Sequence, residues 1–200
     1  MKKLIFDFDG VLVDSMPYYT RAITDILEAR GIPYDRREVV QDVTTLNRAG
    51  IAGYLIDRFG VNATAEAIVA EIDGQSAKAY REVIPAKEGV PQTLRELRRE
   101  GYSLSVLTAT PHPLVDDCLR RLGLYDLFDY VWSCDDFGMS KNDPAIFRAA
   151  AERLESTPDG CIMMDDNITA LTNAKAAGMG AIGVYDPTSS RLNGQIKAIC

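Results

Sequence analysis

From residue 85 onward the chain alternates short apolar runs with amphipathic stretches, a rhythm that leaves few architectures open. Parallel strands need long crossovers, and helices that cross over bury both faces of the sheet they connect. The runs predict strands at Leu4 to Phe8, Ser103 to Leu107, Tyr130 to Trp132, Cys161 to Met164 and Ala181 to Val184. Helical spacing of apolar residues predicts helices over Val90 to Glu100, Pro113 to Leu122, Pro144 to Leu154 and Ile168 to Ala177. Thr110-Pro111 and Asp143-Pro144 each place a capping side chain before a proline at the first helical position. An α/β fold follows, with a parallel sheet at its centre.

Residues 16–84 break the rhythm. They hold no convincing strand but carry helical patterns at Tyr18 to Arg30, Leu46 to Phe59 and Thr64 to Val83, separated by Gly31-Ile32-Pro33 and Gly60-Val61-Asn62. Pro85 and Gly89 mark the return. The expected organisation is a core of residues 1–15 and 85–200 with a helical insert of residues 16–84. Gly178-Met179-Gly180-Ala181-Ile182-Gly183 has the spacing of dinucleotide-binding glycines, but these close a helix and enter a strand. That fingerprint must follow a strand and open a helix, so the glycines read as a helix cap and a tight strand entry.

The 200 residues, 46% hydrophobic and 26% charged, suffice for one well-cored domain or a core with a small insert. A formal charge of −7 opposes nonspecific binding of nucleic acid, so an anionic substrate needs a local positive focus. Cys118, Cys134, Cys161 and Cys200 are far apart and His112 is the only histidine, which argues against a zinc site and for reduced thiols. No run approaches the roughly 20 apolar residues of a membrane span, and Asp7 interrupts the first apolar run far short of a signal-peptide core. A cytoplasmic location, with no membrane partner, is expected.

Chemistry concentrates where strands end. Asp7 and Asp9 leave the run Leu4-Ile5-Phe6, and an extended backbone points residues two apart to one side. Acids held that close repel unless a cation or a proton lies between them, which suggests a metal site, an acid/base pair, or both. A solvated turn beside Gly10 would not need the apolar Val11-Leu12-Val13 that follows. Thr108 ends the second run, Asp165-Asp166-Asn167 the fourth, and Lys141 precedes a helix. Open parallel sheets bind ligands at the carboxyl ends of their strands, so these positions converge on one crevice. Together they offer what phosphoryl transfer requires. Asp7, Asp166 and the Asp9 carbonyl supply oxygens for Mg²⁺, while Thr108 and Lys141 supply a hydroxyl and a point charge for phosphate.

The motifs DFDGVLVDS, LTAT, SKNDP and MDDN followed by NAKAAGMGAIGV, in that order, resemble the haloacid dehalogenase superfamily, and the resemblance runs along the entire chain. It implies a Rossmann-like parallel-sheet core with an inserted α-helical cap. It also implies that Asp7 attacks phosphorus to form an aspartyl-phosphate and that Asp9 serves as acid and then base. By the same match Thr108, Ala109 and Lys141 hold the phosphoryl group, and Asp165 and Asp166 complete a metal site with Asp7 and Asp9. Two departures stand out: Pro144 is followed by Ala145 where many relatives carry an acid that contacts the loop, and position 170 is alanine rather than aspartate. Metal support should then rest on the adjacent acids, with Asp166 the direct ligand.

Within this resemblance, Asp9 favours phosphate esters over dehalogenation or phosphonate cleavage, and Lys78, the one lysine of the insert, reads as a solvated helix residue. Hexose-phosphate mutases of the β-phosphoglucomutase kind are the rival. They carry a histidine where this chain has Tyr19, which favours hydrolysis of a small phosphorylated metabolite. Asn47-Arg48 sits where mutase caps place a phosphate-binding arginine, so Arg48 is a candidate substrate residue beside its reading as an exposed helix residue. Tyr18, Tyr19 and Tyr54 read as packing residues. His112 has no visible partner and no role. A monomer is expected, and a non-catalytic phosphometabolite-binding protein is the third reading.

Overall fold

The computed structural model describes residues 3–43, 46 and 48–187; Asn47 and Cys200, named above, lie outside them. Five strands, β1 (Lys3–Phe6), β2 (Ser103–Thr108), β3 (Tyr130–Ser133), β4 (Cys161–Asp165) and β5 (Gly180–Gly183), form one sheet in the order β3-β2-β1-β4-β5. Every pairing is parallel. β1 is paired on both sides, which is why its Leu4, Ile5 and Phe6 are all buried and read as an unbroken apolar run. The chain moves outward from β1 to β3, then crosses back to β4 and β5. The strand order therefore reverses between β1 and β4, where open α/β sheets place their ligands.

β1 ends at Phe6 rather than Phe8, and the reason is local. Asp7 extends the ladder by one bond, its N–H donating to the Met164 carbonyl at 2.8 Å, but the Phe8 carbonyl then turns to accept the Leu12 and Val13 N–H groups at 2.9 and 3.1 Å. Phe8 is fully buried without belonging to a strand. The turn at Gly10 returns Val11, Leu12 and Val13 to the core, which accounts for the apolar residues after the motif.

The described residues of Met1–Asp14 and Ile84–Cys200 form one compact unit, and Ser15–Val83 forms another. The first unit carries helices α5 (Val90–Arg99), α6 (His112–Arg121), α7 (Ala145–Arg153) and α8 (Ile168–Ala176). One of its cores joins Ile5 and Met163 of the sheet to Phe147, Ile146 and Ala150 of α7. α7 begins at Ala145, whose N–H is accepted by the Asp143 carboxylate at 2.8 Å, and Gly178 closes α8 with φ +98° before β5 opens at Gly180. α6 departs from expectation: it starts at His112, no side chain caps it, and the Thr110 hydroxyl is used elsewhere.

The second unit holds α1 (Met16–Ala29), α2 (Arg36–Val43), α3 (Arg48–Phe59) and α4 (Ala65–Glu82) around a core of its own that includes Ile23, Ile26, Leu55, Ile68 and Ile72. α2 is absent from the sequence reading because only Val39 and Val43 face the core, too few for a visible period. Its start signal is Asp35, whose carboxylate accepts the Arg37 and Glu38 N–H groups at 2.8 and 3.0 Å. Tyr19 and Tyr54 pack against this core, as read from the sequence, and Lys78 is exposed. Among the described residues no helix is long and apolar enough to cross a membrane.

Candidate active site

The register that pairs Phe6 with Met164 carries the two chains on to Asp7 and Asp165, at the carboxyl ends of adjacent strands. Between these carboxylates lies the Lys141 ammonium, its Nζ 2.8 Å from Asp7 Oδ1 and 2.8 Å from Asp165 Oδ2. All three groups are buried or nearly so, Asp165 completely. The Lys141 carbonyl accepts the Asn173 side-chain amide at 3.0 Å, which fastens the lysine loop to α8. Asp165 also accepts the Asn167 N–H at 2.8 Å, while the Asn167 side chain caps α8 through Thr169 and Ala170. This turn leaves the neighbouring Asp166 half-buried rather than enclosed.

Asp7, Asp165 and Asp166 each offer a carboxylate oxygen, and these atoms lie within 4.8 Å of one another. Three oxygen donors of high charge density suit a hard divalent cation rather than a soft one. The local electrostatics point the same way. Burial pushes the Asp7 carboxyl well above its ordinary value, and the nearby Asp165 and Asp9 add to this while Lys141 opposes it. For Lys141, burial pulls the ammonium down, but Asp165 and Asp7 outweigh it and hold the group firmly protonated. One buried cation thus faces more than one buried acid, and a further positive charge among the carboxylates would favour their ionised forms.

Asp9 lies outside that trio of carboxylates, and the Thr110 hydroxyl donates to its Oδ2. The Thr110 N–H in turn donates to the fully buried Thr108 hydroxyl oxygen at 3.0 Å. Ala109 is exposed at the bend between them. Thr110 is the residue that sequence reasoning missed. Thr110-Pro111 reads as a helix cap, although a second hydroxyl two residues beyond Thr108 is a visible signal. Asp7, Asp9, Thr108, Lys141, Asp165 and Asp166 all belong to the first compact unit.

Arg48 belongs to the second. It opens α3 and forms an ion pair with Asp73 at 3.3 Å, both side chains well exposed. Burial raises the pKa of the nearby Tyr19 hydroxyl, with Arg48 and Asp73 acting on it in opposite directions. His112, expected to lack partners, has two: its Nδ1 lies 3.2 Å from Asp116 and its Nε2 2.7 Å from Asp136. Asp116 is one helical turn along α6 and was in reach of a sequence reading; Asp136 comes from a separate short turn and was not.

A fold with its strand reversal over an acidic site of this kind defines a class, and the model of the haloacid dehalogenase-like hydrolases matches residues 1–178 of this chain. The chain belongs to that family. Within it, the phosphorylated carbohydrates phosphatase of Thermotoga maritima is 28% identical over 182 residues, covering 91% of this chain and 84% of its own. The β-phosphoglucomutase of Bacillus subtilis is 27% identical over 191 residues, covering 92% and 83%. Among solved structures, a family hydrolase of Deinococcus radiodurans with bound phosphate and sodium matches at a TM-score of 0.79 and 25% identity, covering 96% of this chain and 88% of that one.

Two expectations follow from the geometry. Gly10 has φ +73°, and a Cβ there would meet Asp166 Oδ2 at 2.7 Å, so Gly10→Ala is both strained and crowded. It should cost about 1–3 kcal/mol in urea unfolding. The two carboxylates raise the His112 pKa above its ordinary value, chiefly through the hydrogen bond to Asp136. The protonated pair stabilises the fold fully below the unfolded-state pKa of about 6.5 and is lost as pH rises through the higher folded-state pKa. Wild type should therefore exceed His112→Gln in melting temperature most at about pH 6, with the gap closing toward alkaline pH. The gain stays below about 1 kcal/mol because the pair is partly solvated.

Proposed function

We propose that this protein is a Mg²⁺-dependent phosphatase of small phosphorylated carbohydrates, working through an aspartyl-phosphate on Asp7. The observation that carries the reading is the convergence of Asp7, Asp165 and Asp166 at the carboxyl ends of β1 and β4, with the Lys141 ammonium between Asp7 and Asp165. The names of relatives, a phosphorylated carbohydrates phosphatase among them, support the substrate class.

Asp7, Asp166 and Asp165 would hold the cation, joined by the Asp9 carbonyl. Bound there, Mg²⁺ would neutralise the phosphate and keep the acids ionised. Lys141 lies against Asp7 Oδ1, where it can bind a phosphoryl oxygen while orienting the attacking carboxylate. The Thr108 hydroxyl and the Ala109 amide supply further donors. In the first half-reaction a carboxylate oxygen of Asp7 attacks phosphorus, the bond from phosphorus to the ester oxygen breaks, and Asp9 gives its proton to the departing alkoxide. In the second, Asp9 takes a proton from water as that water attacks phosphorus, and inorganic phosphate leaves with Asp7 restored. Thr110, bonded to the Asp9 carboxylate, orients it for both proton transfers. The helical unit serves as the cap that selects the substrate.

A mutase is the second reading. Arg48, paired with an exposed Asp73 it can exchange for a phosphate, favours it, as does the likeness to β-phosphoglucomutase. Tyr19 in place of histidine favours hydrolysis.

Purified protein should release phosphate from aryl and sugar phosphates only when Mg²⁺ is present, and Asp7→Asn should lower that rate by more than about a thousandfold. Tight metal-dependent binding of phosphorylated metabolites with no turnover of any would establish a binding protein instead. Efficient isomerisation of β-glucose 1-phosphate with a bisphosphate primer, without free phosphate, would establish the mutase.

A further inference from the structure

Lys87 has no part in the chemistry above, yet its ammonium is more completely engaged than a structural lysine requires. Nζ donates to the Gly10 carbonyl at 2.7 Å, to the Tyr185 carbonyl at 2.9 Å and to Asp186 Oδ2 at 2.9 Å, one acceptor for each of its protons. Asp186 is 1% exposed and the Lys87 side chain 17%. The lysine is anchored before its side chain reaches out. Its N–H donates to the Leu12 carbonyl at 3.0 Å, Asp14 donates to the Pro85 carbonyl at 3.0 Å, and Ala86 bridges Val13. Residues 85–87 thus run beside the segment that follows the Asp7–Asp9 turn.

Gly10 and Tyr185 follow β1 and β5, and the strand between these two is β4, whose end carries Asp165 and Asp166. Lys87 therefore ties together the segments on either side of Asp166. Gly10 is held from two directions: Lys87 takes its carbonyl, while its Cα lies so close to Asp166 that a Cβ would stand 2.7 Å from Oδ2. A buried ion pair gives little net stability over apolar residues of similar volume, because desolvation offsets the attraction. Here three acceptors fix the direction of the Lys87 ammonium.

We propose that Lys87 and Asp186 are a positioning pair that holds the Asp9–Gly10 turn against Asp166, and so sets both the cation affinity of the acidic site and the aim of Asp9. The inference rests on the phosphatase reading for the identity of the cation and the reaction. Outer-shell partners of this kind change metal affinity or activity by about 10–100-fold when removed.

The test is the double variant Lys87→Met/Asp186→Leu, which removes both charges and leaves neither uncompensated. Its melting temperature should stay near that of wild type, while calorimetry should show Mg²⁺ bound about 10–100-fold more weakly. With a sugar phosphate, kcat should fall by a similar factor and KM should move by less than about threefold. A folded double variant with wild-type Mg²⁺ affinity and kcat overturns the proposal, as does one whose only change is a lower melting temperature. Should the double variant fail to fold, Asp186→Asn is measured in its place. It keeps the shape and weakens the tie, so Mg²⁺ binding should weaken by at least about threefold, and unchanged affinity overturns the proposal. If wild type binds Mg²⁺ but hydrolyses no phosphate ester, the phosphatase reading falls and calorimetry still decides the positioning role. Absence of Mg²⁺ binding by wild type overturns both.

Discussion

A single ammonium between two buried carboxylates organises this molecule. Asp7 and Asp165 end adjacent parallel strands, and the pairing of Phe6 with Met164 brings them abreast at the point where strand order reverses. Two acids set so close would repel in a medium that screens poorly. Lys141, within 2.8 Å of both, turns that repulsion into a bridge across the sheet's central seam. The arrangement needs a loop of defined length before α7, and Asn173 of α8 holds that loop by the Lys141 carbonyl. Sheet register, loop and two helices are thus fitted around one charge.

The sheet was legible in the sequence because a central parallel strand is buried on both faces and shows as an apolar run that stops abruptly at an acid. Leu4, Ile5 and Phe6 before Asp7 are the plainest case. Phe8 misled for the same reason: it is as buried as its neighbours, and burial alone does not distinguish a strand from a tight turn packed beneath one. α2 escaped because a helix with two core-facing valines carries no period, although Asp35 marked its start. Thr110 was misread because Thr-Pro is a strong local capping signal, whereas its actual partner, Asp9, is about a hundred residues away in sequence. Local rules described local geometry well. They failed where a side chain had two possible uses and tertiary packing chose the distant one.

In the proposed phosphatase the same division separates reaction from substrate. Every acid, hydroxyl and cation of the site comes from the unit that holds the sheet, and their spacing along the chain follows from strand ends. The helical unit carries a core of its own, and Arg48 is paired within it to Asp73. In the proposed phosphatase, which of its surface residues would meet a substrate depends on helix rotation, a property that residue order alone leaves open. Recognition of the reaction therefore comes early and recognition of the substrate late.

The turn from Asp7 to Asp14 shows how much can be asked of eight residues. Asp7 must stay extended enough to continue the β1 ladder, yet the Phe8 carbonyl must turn within the next few residues to meet Leu12 and Val13. Glycine suits position 10 because its φ is +73° and a Cβ there would crowd the Asp166 carboxylate. Lys87 then holds the glycine through its carbonyl, at 2.7 Å. Flexibility needed for the path is removed by a charge from elsewhere in the chain. In the proposed mechanism, an acid that would hold a cation and one that would move protons can in this way sit two residues apart without sharing an orientation.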